Sequence, residues 1–205
     1  MTLTFYTNPM SRGQITRWAL HEVGADYEQV LLEYGTTMAG DDYLQINPMG
    51  KVPAIVHNDK IVTEGAAICT YLAEILPVAE LSPTTAERAD YYRWMFYGAG
   101  PLEAAISNKS MGFEIEAEAE RSVGYGNYDR VIDVLDQKFT SNDYVCGDRF
   151  TMADVYVGAQ IIWGTQFETI PKRASFISYV QRLTGRDPYL AAKAIDDALI
   201  AETEN

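Results

Sequence analysis

Apolar and polar positions alternate from Leu3 to Thr7 in a run rich in β-formers, which predicts a strand. From Gly13 the period changes. Ile15, Trp18, Ala19 and Val23 recur at helical spacing, and Gly24 closes the run in the manner of a C-cap. Tyr27 to Leu32 reads as a second strand, followed by a loop with Gly35 and Gly40 and a short helical piece, Asp41 to Ile46. Two more short strands, Pro53 to His57 and Lys60 to Thr63, flank Asn58-Asp59, a two-residue hairpin signal. Ala66 to Ile75 is helical, with Ile68, Tyr71, Leu72 and Ile75 on one side.

This order, βαβ and then αββα, is the thioredoxin-like arrangement; its first two strands should run parallel and its last two antiparallel. Pro77 to Pro83 shows neither period and reads as a linker. Thr84-Thr85-Ala86-Glu87 then has capping-box spacing and opens a helix. Beyond it the pattern favours helix over Arg88 to Phe96, Ala117 to Phe139, Ala153 to Trp163, Ala174 to Arg182 and Pro188 to Ala201. Gly124 and Gly126 interrupt the second of these. The expected fold class is α/β plus all-α: a thioredoxin-like βαβαββα domain over 1–76, a linker over 77–83, and an α-helical bundle domain over 84–205.

Composition narrows the chemistry. With 205 residues, 47% of them hydrophobic, the chain can bury a sizeable core. A net charge of −13 argues against nucleic acid and against anionic membrane surfaces, both of which would be repelled. No apolar run approaches the ~20 residues that cross a bilayer. No basic-then-apolar leader stands at the N-terminus, so the expected compartment is the cytoplasm, with Cys69 and Cys146 reduced and acting as small hydrophobes. His21 and His57 lie far apart with no cysteine or carboxylate cluster at ligand spacing, so no metal site is expected. His57, beside a turn, reads as a surface residue. Pro9-Met10-Ser11-Arg12 stands where dithiol redox chemistry needs two cysteines, and no phosphate loop or dinucleotide fingerprint is present.

Two segments carry the most information. Asn47-Pro48-Met49-Gly50-Lys51-Val52-Pro53-Ala54-Ile55 leads a tight turn into a strand opening with Val-Pro, where a proline is tolerated because it need not donate to the ladder. A cis bond before Pro53 would leave the Val52 amide and carbonyl free for a peptide-like ligand added as a strand. Glu64-Gly65-Ala66-Ala67-Ile68 then passes from strand to helix, and helix N-termini attract carboxylates. Together these make a site for a small peptide with an α-amino-carboxylate.

The pattern from Asn47 to Ile55, followed by Glu64 to Leu72, resembles the glutathione site of cytosolic glutathione transferases of bacterial type. Thr4 to Gly13 is similar to that family's first strand and turn, and Gly147-Asp148-Arg149-Phe150-Thr151-Met152-Ala153-Asp154 to its helix-capping signature in the second domain. These elements come in the family's order over about three quarters of the chain. The resemblance implies glutathione as co-substrate, with Lys51, Val52, Pro53, Glu64 and Gly65 binding it: Lys51 toward a glutathione carboxylate and Glu64 toward the γ-glutamyl ammonium. It also implies a homodimer. One departure stands out: the family usually has Ser where this chain has Gly65, so one hydroxyl toward the γ-glutamyl carboxylate is missing.

Such an enzyme must keep a thiol ionised near pH 7. A free thiol has a pKa of about 8.5, and each unit of depression requires about 1.4 kcal/mol. A hydrogen bond to a charged acceptor is worth roughly 1.5–3 kcal/mol. Ser11, in the turn before the first helix, matches the family's catalytic Ser or Cys; plain N-capping would also explain it. Tyr6, at the end of the first strand, is the competing hydroxyl, and Arg12 a source of local positive potential. Thr151 and Asp154 read as a helix cap. Met10, Tyr97, Asn108, Trp163, Gln166 and Phe167 are candidates for an apolar cleft. The expected activity is conjugation of the glutathione thiolate to small electrophilic, mostly apolar molecules, a detoxification chemistry. The alternatives are a non-catalytic glutathione-binding or scaffold protein of the same fold, or a glutathione-dependent isomerase, peroxidase or lyase.

Overall fold

Residues 3–203 are described here in a computed structural model. The first compact unit comprises residues 1–81 and 185–205, the second residues 82–184. In the first, β1 (Leu3–Thr7), α1 (Gly13–Glu22), β2 (Glu28–Leu31), the one-turn α2 (Asp41–Leu44), β3 (Ala54–His57), β4 (Lys60–Thr63) and α3 (Gly65–Ile75) follow in order. The sheet runs β2-β1-β3-β4. β1 and β2 are parallel, with Tyr6 opposite Val30; β3 is antiparallel to β1, with Tyr6 opposite Ala54, and to β4, with Ala54 opposite Thr63. The expected parallel and antiparallel halves are both present. Asn58 and Asp59 turn the β3–β4 hairpin with φ of 47° and 64°, the two positive values that a twisted two-residue turn requires.

Alternation along β1 sorts the two faces. Leu3, Phe5 and Thr7 are buried. Phe5 packs edge-on to Tyr27, while α1 and α3 contribute buried Ile15, Trp18, Ile68 and Leu72. On the other face Leu32, Met38, Tyr43 and Ala54 form a second small core, with Tyr6, Val30, Ile46 and Val52 packed against it.

The last helix, α9 (Asp187–Thr203), packs on α1 within this unit. Buried Arg17 pairs with Asp196 at 2.9 Å, and its guanidinium also donates to the Tyr27 hydroxyl and lies over the Phe5 ring. Burial pushes the Asp196 carboxyl up to about 6, against the pull of Arg17. Glu22 takes Arg186 at 2.7 and 2.8 Å, one bond to each carboxylate oxygen. Residues 185–205, read from sequence as part of the helical domain, therefore carry anchors to the first helix.

In the second unit lie α4 (Arg88–Tyr97), α5 (Glu103–Ser110), α6 (Tyr128–Ser141), α7 (Met152–Gln166) and α8 (Ala174–Thr184). Both expected caps form. The Thr84 amide donates to Glu87, and the Glu87 amide to the Thr84 hydroxyl. Thr151 and Asp154 make the reciprocal capping box of α7. The Asp154 carboxylate also accepts from the Val145 amide (2.7 Å) and the Tyr179 hydroxyl (2.8 Å). Burial pushes its pKa up to about 6 in spite of these donors.

Two expectations need correction, and one stretch carries elements that the sequence pattern does not mark. The helix expected over Ala117 to Phe139 begins at Tyr128, where the Asn127 side chain accepts the Arg130 amide; before it stands a single 3-10 turn, Glu120–Ser122. A wide π turn, Gly98–Leu102, and α5 were not foreseen, because Gly98, Gly100 and Pro101 break the periodic signal. His57 is buried rather than on the surface, its Nδ1 2.8 Å from the Tyr71 hydroxyl.

Candidate functional site

Strand polarity gathers the sequence-identified residues of the first unit at one end of the sheet. β1 ends at Thr7 and leads to Ser11. β3 runs against it, so the residues before Ala54, namely Lys51, Val52 and Pro53, lie at that same end. β4 runs against β3, so Glu64 and Gly65, after Thr63, lie there too.

The turn into β3 is built from inside. The Asn47 carboxamide accepts the Met49 amide (3.1 Å) and donates to the Lys51 carbonyl (2.7 Å), which also takes the Tyr43 hydroxyl at 2.5 Å. Gly50 has φ of +56°, in the left-handed region that glycine adopts freely. A Cβ there would also sit 3.3 Å from the Met38 carbonyl. Burial pushes the Tyr43 hydroxyl up to about 12, so it stays a donor at any ordinary pH. The Val52–Pro53 peptide bond is cis. Val52 stands outside the ladder, and neither its amide nor its carbonyl bonds another described residue.

Lys51 and Glu64 are exposed, and neither forms an ion pair with a described residue. Glu64, the residue before α3, has φ of 67° and ψ of 115°, a conformation that L side chains rarely adopt. Such outliers concentrate at ligand sites, where the surroundings hold them in place. Gly65 begins α3, and the first main-chain bond of that helix is the Ile68 amide to the Glu64 carbonyl. The first-turn amides before Ile68 are therefore unspent and are not countered by any acidic residue of that turn.

Ser11 is half-buried in the turn before α1. Its hydroxyl donates to the Asn8 carbonyl at 2.6 Å and accepts the Gly13 amide at 2.9 Å. The hydroxyl thus takes the first amide of α1 from one residue outside the N-cap, Arg12, and the proton a thiolate would need is engaged by a main-chain oxygen. Gly13 is required here, since a Cβ would fall 2.0 Å from the Thr7 hydroxyl. The Tyr6 ring lies on the opposite face of β1 from Phe5 and packs against Tyr43 at 5.5 Å between centroids. Arg12 is exposed.

In the second unit, Tyr97 donates to the Val131 carbonyl and Asn108 to the Tyr125 hydroxyl, while Phe167 is exposed. Among the described residues no group of three or more His, Cys, Asp or Glu is placed to hold a metal, and no helix is long and apolar enough to cross a membrane.

Sequence reasoning passed over Asn8 and Asn47. Each opens an Asn-Pro-Met tripeptide, accepts the amide two residues on, and donates to a carbonyl. The repeated tripeptide was the available signal.

Two family models match: the N-terminal domain of glutathione S-transferase over residues 1–74 and the C-terminal domain over residues 104–184. Among curated relatives, a glutathione S-transferase of Escherichia coli O157:H7, GstA, is 28% identical over 196 residues, which is 89% of this chain and 90% of that protein. A maleylacetoacetate isomerase of Mus musculus is 26% identical over 173 residues, 81% of this chain and 79% of that protein. Among solved structures, a sphingomonad glutathione S-transferase complexed with glutathione superposes with a TM-score of 0.76 at 25% identity, over 95% of this chain and 98% of that one.

Proposed function

The chain belongs to the glutathione S-transferase family, and from that membership we propose that it conjugates the glutathione thiolate to small electrophilic, mostly apolar substrates. One observation carries this reading. The unspent main-chain groups of Val52, the free charges of Lys51 and Glu64 and the open amides of α3 lie at the sheet end where Ser11 stands in the turn before α1.

Glutathione, a γ-Glu-Cys-Gly tripeptide, suits that set in a defined direction. Its cysteinyl main chain pairs with Val52 as an added strand beside Pro53. Its γ-glutamyl carboxylate takes the α3 amides at Gly65, its ammonium takes Glu64, and its glycyl carboxylate takes Lys51. This leaves the thiol toward Ser11. The thiol gives its proton to water, the thiolate accepts a hydrogen bond from Ser11, and sulfur then attacks the electrophilic carbon. A carbon–sulfur bond forms, and the displaced group leaves with the electron pair of the bond that breaks. Thiolate stabilisation and proximity suffice for such a reaction.

The division of labour follows the expected domains: residues 1–76 hold glutathione, and the helical part beyond the 77–83 linker shapes the electrophile pocket. The protein acts in the cytoplasm, as a homodimer, in detoxification. Turnover of glutathione with a generic aromatic halide tests the proposal. Conjugate formation that slows about tenfold in Ser11→Ala at neutral pH is the expected result; no conjugate from protein that is retained on immobilised glutathione refutes it.

A second reading has its own observation. Gly65 offers an amide but no hydroxyl, and the Ser11 proton is already engaged by Asn8, so a glutathione-binding protein without conjugating activity also fits. Retention without turnover is its signature. The likeness to a maleylacetoacetate isomerase supports, as a third possibility, a glutathione-dependent isomerase.

A further inference from the structure

Asn8 makes four hydrogen bonds: a long one from the Thr7 hydroxyl to its carbonyl at 3.5 Å, and three that converge on the turn carrying Ser11. Its carboxamide nitrogen donates to the Leu32 carbonyl at 2.8 Å, tying the turn to the segment beyond β2, twenty-four residues away. Its carboxamide oxygen accepts the Met10 amide at 2.9 Å, closing an Asx turn over Pro9. Its own carbonyl takes the Ser11 hydroxyl proton at 2.6 Å. The Gln14 side chain adds a bond to the Pro9 carbonyl at 2.6 Å, and the Gly13 amide fills one lone pair of the Ser11 oxygen.

A serine hydroxyl turns freely unless its neighbours direct it. Here the oxygen is fixed from two sides, so only its hydrogen needs to swing for a thiolate to replace the Asn8 carbonyl as acceptor. Asn8 is buried, so its carboxamide acts on the reaction only through the position of that oxygen. Resting on the reading of Ser11 as the thiolate's donor, we propose that Asn8 is the positioning residue of this site, and that its carbonyl parks the Ser11 proton until bound glutathione ionises.

A positioning role makes predictions that turn formation alone does not. In Asn8→Ala, the pKa of enzyme-bound glutathione, followed by the ultraviolet absorbance of the thiolate, should rise by about 0.5–1 unit. Affinity for glutathione should stay within about threefold, because the Val52, Glu64 and Lys51 contacts are untouched. The double variant Asn8→Ala/Ser11→Ala should titrate like Ser11→Ala alone, as expected of two residues acting through one group. Asn8→Ser, which keeps an acceptor for the Met10 amide but does not reach Leu32, covers the case in which the alanine variant fails to fold; a smaller upward shift is expected. If both Asn8 variants titrate like the parent while Ser11→Ala shifts, the positioning role is wrong and the Ser11 reading stands. If Ser11→Ala itself leaves the titration unchanged, both are wrong.

Discussion

Consider Ser11→Ala. The hydroxyl stands between the Asn8 carbonyl and the Gly13 amide, so its contribution to catalysis is a difference between two hydrogen bonds. Donation to a thiolate is worth roughly 1.5–3 kcal/mol, while the neutral bond to Asn8 that must be released is worth about 0.5–1.5 kcal/mol. The net preference for the ionised thiol is then about 1–1.5 kcal/mol, close to one pKa unit at 1.36 kcal/mol per unit. Removing the hydroxyl should therefore raise the pKa of bound glutathione by about one unit and, below that pKa, reduce the conjugation rate about tenfold. The same change removes the partner of the first α1 amide, with a stability loss of about 1 kcal/mol. Two assays separate these effects: a thiolate absorbance titration of the complex, and urea unfolding of the free protein. A loss of stability with an unaltered titration would show Ser11 to hold that amide and nothing more.

The other predictions concern affinity, core and pH. Gly65→Ser restores a hydroxyl at the start of α3 and should tighten glutathione binding by about 1 kcal/mol, roughly fivefold, in a calorimetric titration; unchanged or weaker binding would place the γ-glutamyl carboxylate elsewhere. Asp154→Ala strands the buried Val145 and Thr151 amides and the Tyr179 hydroxyl, so urea unfolding should register a loss of about 3–5 kcal/mol; a loss below about 1 kcal/mol would mean these donors find other partners. Hydrogen bonds from Arg149 hold the Glu87 carboxyl down to about 2 from its usual 4.5, so the pair stabilises fully above about pH 4.5 and loses its contribution as the pH falls toward 2. Glu87→Gln should accordingly cost about 1–2 kcal/mol at pH 7, allowing for the part-exposed Arg149, with the difference from the parent narrowing below pH 4.5; a gap that is constant with pH contradicts this.

Much of the first unit was legible because its signals are local. The β1 alternation, the helical spacing through Trp18 and the Asn58-Asp59 turn each lie within a few residues, as do the two capping boxes of the second unit. The positions of Ser11, Lys51, Val52, Pro53, Glu64 and Gly65 were legible as motifs, and their common sheet end follows once strand directions are known. What escaped depends on contacts distant in sequence or on broken periods. Arg17 and Asp196 are 179 residues apart, and nothing local marks either as buried. His57 sits beside a polar turn, yet its burial is set by Tyr71 of α3. Pro101 lacks the amide that a regular helix would use, and the chain widens into a π turn there, which a 3.6-residue period does not reveal. Asn8 escaped too: its one local mark is the repeated Asn-Pro-Met tripeptide, while its bond to Leu32 exists only after β2 has paired with β1.

Crystallography of the protein soaked with glutathione tests the central claim most directly. The account predicts the tripeptide hydrogen-bonded to the main chain of Val52, its γ-glutamyl carboxylate on the α3 amides, and its sulfur within about 3.5 Å of the Ser11 oxygen, near the limit for a bond to sulfur. A sulfur resting on the Tyr6 hydroxyl, or a tripeptide that leaves Val52 unpaired, would contradict it.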